Sequence, residues 1–301
     1  LCCNFLFLLL IDELFLEKKV LFLSFVRSFG IVDTYPKHLR CAKNYMHHLE
    51  KCFACPRCRT AIRTDSSKGI CTKCKFTLKK IDGIWHCLYI PDLQSKESQK
   101  QYDKMHTKEF GGPIDGSYEI LSAIARGNRT VDIACGEGVI EKLAPETVGV
   151  EFSLNALKKA KANGAKNLVL ADAHALPFKN DSFEIAISSG NLEHFADPQK
   201  AINEMARVSR IQVLTVHRYP PFPFSPLIYA LITKIFKIIH QPIEKPISQK
   251  SLEKMLERPG LHIVFKGVWT LPVNYGRPIQ FLPEFKNIPS CSFIISIKKS
   301  K

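Results

Sequence analysis

The run Val131-Asp132-Ile133-Ala134-Cys135-Gly136-Glu137-Gly138, followed by Val148-Gly149-Val150-Glu151, constrains the fold more than any other stretch of this 301-residue chain. Val131 to Ala134 has the β-branched, apolar character of a buried strand, and the Gly136-x-Gly138 turn opens a short helical run, Val139 to Leu143. Glycine suits such a turn because it accepts unusual φ angles cheaply and lets the backbone approach a ligand, which a side chain at Gly136 or Gly138 would hold away. Glu151 ends a second short strand 19 positions after Asp132. That is close to the roughly 20 residues after which a ribose-binding acid stands in doubly wound nucleotide folds. The pattern predicts an α/β fold with a nucleotide-type cofactor at the carboxyl edge of its strands.

A dinucleotide site would carry a third glycine inside the helix, where this chain has Glu141 and Lys142. The loop instead resembles the first motif of class I S-adenosylmethionine-dependent methyltransferases, an acid-x-Gly-x-Gly-x-Gly turn, with Ala134 in place of the first glycine. Val148-Gly149-Val150-Glu151-Phe152-Ser153 resembles the second motif of that family and Ala171-Asp172-Ala173-His174-Ala175-Leu176-Pro177-Phe178 the third. Asp181 to Ser189, Leu192-Glu193-His194-Phe195, Asp197-Pro198 and Glu204 to Val208 are similar to its fourth strand and following helix. The resemblance covers residues 129–217. It implies a Rossmann-like, mostly parallel sheet whose last strand runs antiparallel, with Leu261 to Val268 and Ser292 to Ile297 as the final two strands.

By the same resemblance, Asp132 organises the methionine end of S-adenosylmethionine, and Ala134, Gly136 and Gly138 admit the cofactor to the backbone. Glu151 accepts from the ribose hydroxyls, Phe152 stacks on adenine, Asp172 accepts from the adenine amino group and Ala173 offers its amide. Tyr102 matches a tyrosine that folds over the cofactor in relatives; a plain aromatic anchor for the linker is the other reading. His194 and His217 stand where substrates meet the carboxyl edge of such sheets, so each is a candidate general base, with a structural role open for both. One departure concerns the acceptor side. Relatives continue after the fourth helix with Leu-Lys-Pro-Gly-Gly, whereas Ser209-Arg210-Ile211-Gln212 runs directly into Val213 to Val216, about three residues short.

Cys55-Pro56-Arg57-Cys58 and Cys71-Thr72-Lys73-Cys74 form two C-x2-C knuckles separated by twelve residues. Two such knuckles from a hairpin complete a tetrahedral S4 shell for zinc, closed to substrate and therefore structural. Disulfides would need an oxidising compartment, and eleven cysteines without an export signal fit metal binding in a cytoplasmic protein better. Cys52 and Cys87 flank the quartet as substitute ligands. Phe53 to Ile90 resembles the small zinc-ribbon proteins that activate certain methyltransferases, which makes the ribbon a candidate protein-partner surface; Trp85-His86-Cys87-Leu88 departs from their usual proline and leucines.

The expected layout is a tail at 1–45, a β-rich zinc ribbon at 46–92, and a polar linker at 93–112 punctuated by Gly111-Gly112-Pro113. A cofactor-binding core at 113–218 follows, opening on a helix from Tyr118 to Arg126, then a lid or substrate segment at 219–260 and the final strands at 261–301. The tail starts at Leu1 and is interrupted by Asp12, Glu13, Glu17, Lys18 and Lys19, which excludes a membrane span of the usual length. An over-extended reading frame with its start near Met46 is the preferred account, an amphipathic anchor the alternative. The net charge of +15 is compatible with RNA or an anionic membrane surface, although the lysines are scattered as on an ordinary solvated face. Within the lid, 227–239 reads as an apolar helix carrying Lys234 and Lys237. It is either a buried cover or, through 222–240, a peripheral membrane contact suited to a lipid-like acceptor. A small or lipid-like acceptor is preferred over RNA; a non-catalytic cofactor- or partner-binding protein with the ribbon as adaptor is the alternative of another class.

Overall fold

The computed structural model describes residues 49–107, 117–217, 224, 231, 242–243, 245, 247–270 and 290–298. The expectations for the tail at 1–45, for Gly111 to Pro113 and for the lid helix at 227–239, Leu231 apart, lie outside the described residues.

Apolar runs such as Val131 to Ile133 and Ile185 to Ile187 have few polar positions because their strands are covered on both faces, as parallel strands flanked by helices must be. Five parallel strands form the centre: β4 (Thr130–Ile133), β5 (Val148–Glu151), β6 (Asn167–Leu170), β7 (Phe183–Ser189) and β8 (Ser209–His217). The strands β9 (Leu261–Thr270) and β10 (Ser290–Lys298) follow, and β10 lies antiparallel between β8 and β9. Three short strands precede them: β1 (Lys68–Ile70), β2 (Thr77–Ile81) and β3 (Ile84–His86). Among the described residues all ten make one sheet in the order β1-β2-β3-β6-β5-β4-β7-β8-β10-β9. The ribbon strands thus extend the core sheet, with β3 parallel to β6 and Trp85 opposite Val169.

The described helices are α1 (Leu49–Cys52), α2 (Leu93–Met105), α3 (Ser117–Ala125), α4 (Val139–Leu143), α5 (Leu154–Ala162), α6 (Pro198–Val208) and α7 (Gln249–Glu257). Their starts follow local chemistry. Ser153 caps α5 by accepting from the Ala156 amide at 3.2 Å, and Asp197 caps α6 through the Lys200 amide at 3.0 Å with Pro198 as its first residue. Ala201, Ile202, Met205, Ala206 and Val208 then form the buried stripe of α6.

Thirteen residues of the polar linker expected at 93–112 form the helix α2, started by Asp92 accepting from the Ser95 amide at 2.7 Å. It buries no residue fully, so the sequence carries no apolar stripe to reveal it. The strand expected at Val213 to Val216 starts at Ser209, directly after α6. The missing turn residues are absorbed by Ser209, which is extended at φ −135° and bonds its hydroxyl back to Met205 O at 2.8 Å.

The ribbon and the core share one hydrophobic interior. Phe53 packs on Trp85 and stacks on Phe178, with ring centroids 5.0 and 5.8 Å apart, and Phe178 meets Phe183 edge-on at 4.9 Å. The strand order reverses between β4 and β7, and the crevice at such a switch point lies beyond the carboxyl ends of the strands.

Candidate cofactor site and cysteine quartet

A cavity of about 700 Å³ opens at that crevice, walled by residues that end β4, β5, β6, β7 and β8. Of the residues expected to hold a cofactor, Asp132, Ala134, Gly136, Glu151, Phe152, Asp172 and Ala173 line it, as do His194, His217 and Tyr102. Gly138 does not. A Cβ at Gly136 would meet nothing within 4 Å, whereas one at Gly138 would stand 2.7 Å from Ala160 Cβ. The two glycines therefore differ in purpose: Gly136 keeps the backbone open to the cavity, and Gly138 lets the loop pack on α5. Both have positive φ, and so does Ala134 at 63°, where a side chain is strained. Asn191 steadies that point, its Nδ2 donating to Ile133 O at 3.2 Å and Ala134 O at 3.1 Å. In the sequence Asn191 belongs to no motif, and only its place just beyond the fourth core strand points to it.

Glu151 is held by the main chain. Its Oε2 accepts from the Gly136 amide at 3.1 Å and its Oε1 from the amides of Phe152 and Ser153 at 2.7 and 2.9 Å. Asp132 is 3% exposed, and its Oδ1 has no hydrogen-bond partner among the described residues. Burial, then the Glu151 charge, raises its carboxyl to about 7. Glu141 lies against it, fully buried, and burial together with Asp132 pushes its carboxyl well above the usual range. Asp172 is fixed by His174, whose amide and ring Nδ1 reach Asp172 Oδ1 at 2.9 and 2.6 Å. Because His174 Nε2 accepts the Asp197 amide at 3.2 Å, Nδ1 is the ring nitrogen that carries the proton. Oδ2 of Asp172 is left for other partners.

On the side of β7 and β8, Glu193 Oε1 sits between the two candidate bases, 4.0 Å from His194 Nε2 and 3.7 Å from His217 Nε2, and accepts the His217 amide at 3.1 Å. His194 Nδ1 donates to Ile243 O at 2.8 Å, and the Tyr102 hydroxyl donates to His194 O at 2.9 Å. His217 Nδ1 lies 3.3 Å from Cys291 Sγ. Burial raises the Tyr102 phenol above its ordinary range, so it stays a donor. Neither Glu193 nor Cys291 was marked from sequence.

The four cysteines of the two knuckles converge, all their sulfurs lying within 4.8 Å of one another. Cys55–Cys74, Cys58–Cys71 and Cys58–Cys74 are separated by 3.4, 3.4 and 3.6 Å, too long for a disulfide. A tetrahedron with the usual 2.3 Å zinc–sulfur bond has edges of about 3.8 Å, so the donor set fits such an ion. Cys52 and Cys87 stand outside the quartet.

A family model described as a methyltransferase domain matches residues 131–213. An uncharacterized protein of Methanocaldococcus jannaschii is 35% identical over 109 residues, 36% of this chain and 43% of that protein. The chloroplastic 2-methyl-6-phytyl-1,4-hydroquinone methyltransferase 2 of Oryza sativa is 32% identical over 106 residues, 32% of this chain and 30% of that protein. The demethylmenaquinone methyltransferase of Renibacterium salmoninarum is 34% identical over 89 residues, 28% of this chain and 38% of that protein. The chain thus spans less than half the length of each of these relatives. Residues 131–213, which contain the glycine loop and the strands that wall the cavity, thus match a methyltransferase domain.

Proposed function

We propose that the protein is an active methyltransferase that moves the methyl group of S-adenosylmethionine to a small or lipid-like acceptor. The observation that carries this reading is the meeting of Asp132, Glu151 and Asp172, from the ends of three adjacent strands, around one cavity inside the matched domain. Bound S-adenosylmethionine would supply an electrophilic methyl, so the protein's own tasks are to hold the donor, align the acceptor and exclude water.

Glu151, anchored by three amides, presents Oε2 to the ribose hydroxyls, and Asp172 presents Oδ2 to the adenine amino group, beside the Ala173 amide and the Phe152 ring. Asp132 faces the cationic methionine end, whose ammonium favours its ionised form. Ala134 and Gly136 bring the backbone up to the donor, while Gly138 acts indirectly through packing. His217, backed by Glu193, takes a proton from the acceptor, and His194 orders the wall beside it through Tyr102 and Ile243. The cysteine quartet would hold a structural zinc ion, closed to substrate.

The acceptor class follows from two features. One relative is named for 2-methyl-6-phytyl-1,4-hydroquinone and another for demethylmenaquinone, and the cavity is bounded by apolar as well as polar side chains, including Phe195 and Ile243. Among the described residues no helix is long and apolar enough to cross a membrane. The test is transfer of a labelled methyl into fractionated cell extract. Label in the lipid or small-molecule fraction is expected; label confined to RNA or protein would overturn the acceptor class, and no label in any fraction would contradict the activity.

A further inference from the structure

The loop that follows β6 is tied to the ribbon at both ends. At its start the Cys87 amide donates to Leu170 O at 2.9 Å, continuing the pairing of β3 with β6. At its end the Ala54 amide donates to Pro177 O at 2.9 Å, Phe53 bridges Phe178, and Arg59 Nη1 donates to Leu176 O at 3.0 Å. Arg59 also pairs with Glu204 Oε2 at 2.7 Å, and the same oxygen accepts the Leu176 amide at 2.9 Å. One buried carboxylate oxygen therefore receives a cation from the ribbon and an amide from the loop.

Arg207 closes the arrangement from α6. Its Nε and Nη2 each reach Glu204 at 2.9 Å, and it donates to Leu176 O at 3.0 Å and Phe178 O at 2.6 Å. The direction of Arg59 is set by the first cysteine knuckle: it follows Cys58, its amide donates to Cys55 O at 2.8 Å, and its φ is 63°. Between the two tethers lie Asp172, Ala173 and His174, all on the cavity wall.

We propose that the ribbon clamps this loop and that Arg59 is a positioning residue which sets cofactor affinity through Leu176 and Glu204. The inference rests on the reading that Asp172 and Ala173 contact the cofactor. A surface loop loses conformational entropy when it orders on a ligand, and a loop already held in its binding shape loses less. The clamp therefore acts on binding: its contacts, to Leu176, Pro177, Phe178 and Glu204, include neither His194 nor His217.

The experiment uses the full, metal-loaded chain and two variants, Arg59→Ala and Arg59→Lys. Amide hydrogen exchange across residues 171–178, S-adenosylhomocysteine affinity by calorimetry, zinc content and kcat are read on each. For Arg59→Ala, Kd is expected to rise on the order of tenfold, with faster exchange from Ala173 to Leu176. Exchange in β4 and β7, zinc content and kcat at saturating cofactor stay unchanged. Arg59→Lys keeps the charge toward Glu204 without the guanidinium fork, so it recovers part of the affinity and still decides the matter where the alanine variant misfolds. Wild-type Kd and wild-type loop exchange in the folded variants would overturn the proposal. If the wild-type chain itself binds no S-adenosylhomocysteine, the functional reading falls, and loop exchange alone then decides whether Arg59 holds the loop.

Discussion

The Glu141 carboxyl fills the space over Gly149, where a Cβ would stand 3.0 Å from Oε1, and from there abuts Asp132, the residue paired with Gly149 across β4 and β5. Burial is the first reason both carboxyls are shifted upward; the Glu151 charge adds to it at Asp132, and the Asp132 charge adds to it at Glu141.

This pair makes cofactor binding and stability depend on pH in opposite directions. A carboxyl whose folded pKa, here about 7 for Asp132, exceeds its ordinary value of 3.8 contributes most to stability below the ordinary value and loses that contribution as pH rises through the folded one. Thermal stability should therefore fall between about pH 4 and pH 7, and Asp132→Asn should flatten the profile. Binding of a cationic cofactor needs the ionised form, so affinity should rise by up to about tenfold per pH unit below 7 and level off above it. Calorimetry from pH 5.5 to 8.5 checks this; a flat binding profile would show that Asp132 does not face the cofactor's charge.

Ala134 occupies a left-handed conformation that costs roughly 1–2 kcal/mol for a residue with a side chain. Ala134→Gly should stabilise the protein, by less than that full cost because glycine also gains freedom in the unfolded chain. Chemical denaturation measures the difference, and a destabilised variant would mean that the methyl packs productively.

The quartet and the Phe53–Trp85–Phe178 stack make ribbon and core one hydrophobic unit. Changing any one of Cys55, Cys58, Cys71 or Cys74 to Ser should abolish stoichiometric zinc and lower Tm of the whole chain in a single transition. Phe53→Ala should cost about 3–5 kcal/mol by leaving a cavity at the junction. Elemental analysis alongside calorimetric melting tests both; a separate low-temperature ribbon transition would contradict the shared core.

His217→Ala should lower kcat by about 10²- to 10⁴-fold, the usual weight of a general base, with little change in cofactor Kd. Equal loss in both quantities would instead assign His217 to structure.

Linear spacing made part of this architecture legible. Asp132, Gly136 and Glu151 lie within a strand-turn-helix-strand unit, so their meeting follows from local geometry, and the four cysteines announce their closure by their knuckles. What the sequence hid depends on distant or missing groups. Arg59 meets Glu204 only because the ribbon strands join the edge of the sheet. Gly138 reads like Gly136 until the approach of Ala160 separates them. The helix from Leu93 to Met105 shows no apolar stripe because it buries no side chain completely. Glu193 gains meaning only when β7 and β8 bring His194 and His217 to either side of it.

The most direct measurement of the central claim is titration of the folded, metal-loaded chain with S-adenosylmethionine, repeated with Glu151→Ala. Saturable binding by the wild-type chain is expected, with an affinity loss of about a hundredfold in the variant, as when two hydrogen bonds to a charged group disappear. No binding heat from the folded wild-type chain, or equal affinity in the two proteins, would contradict it.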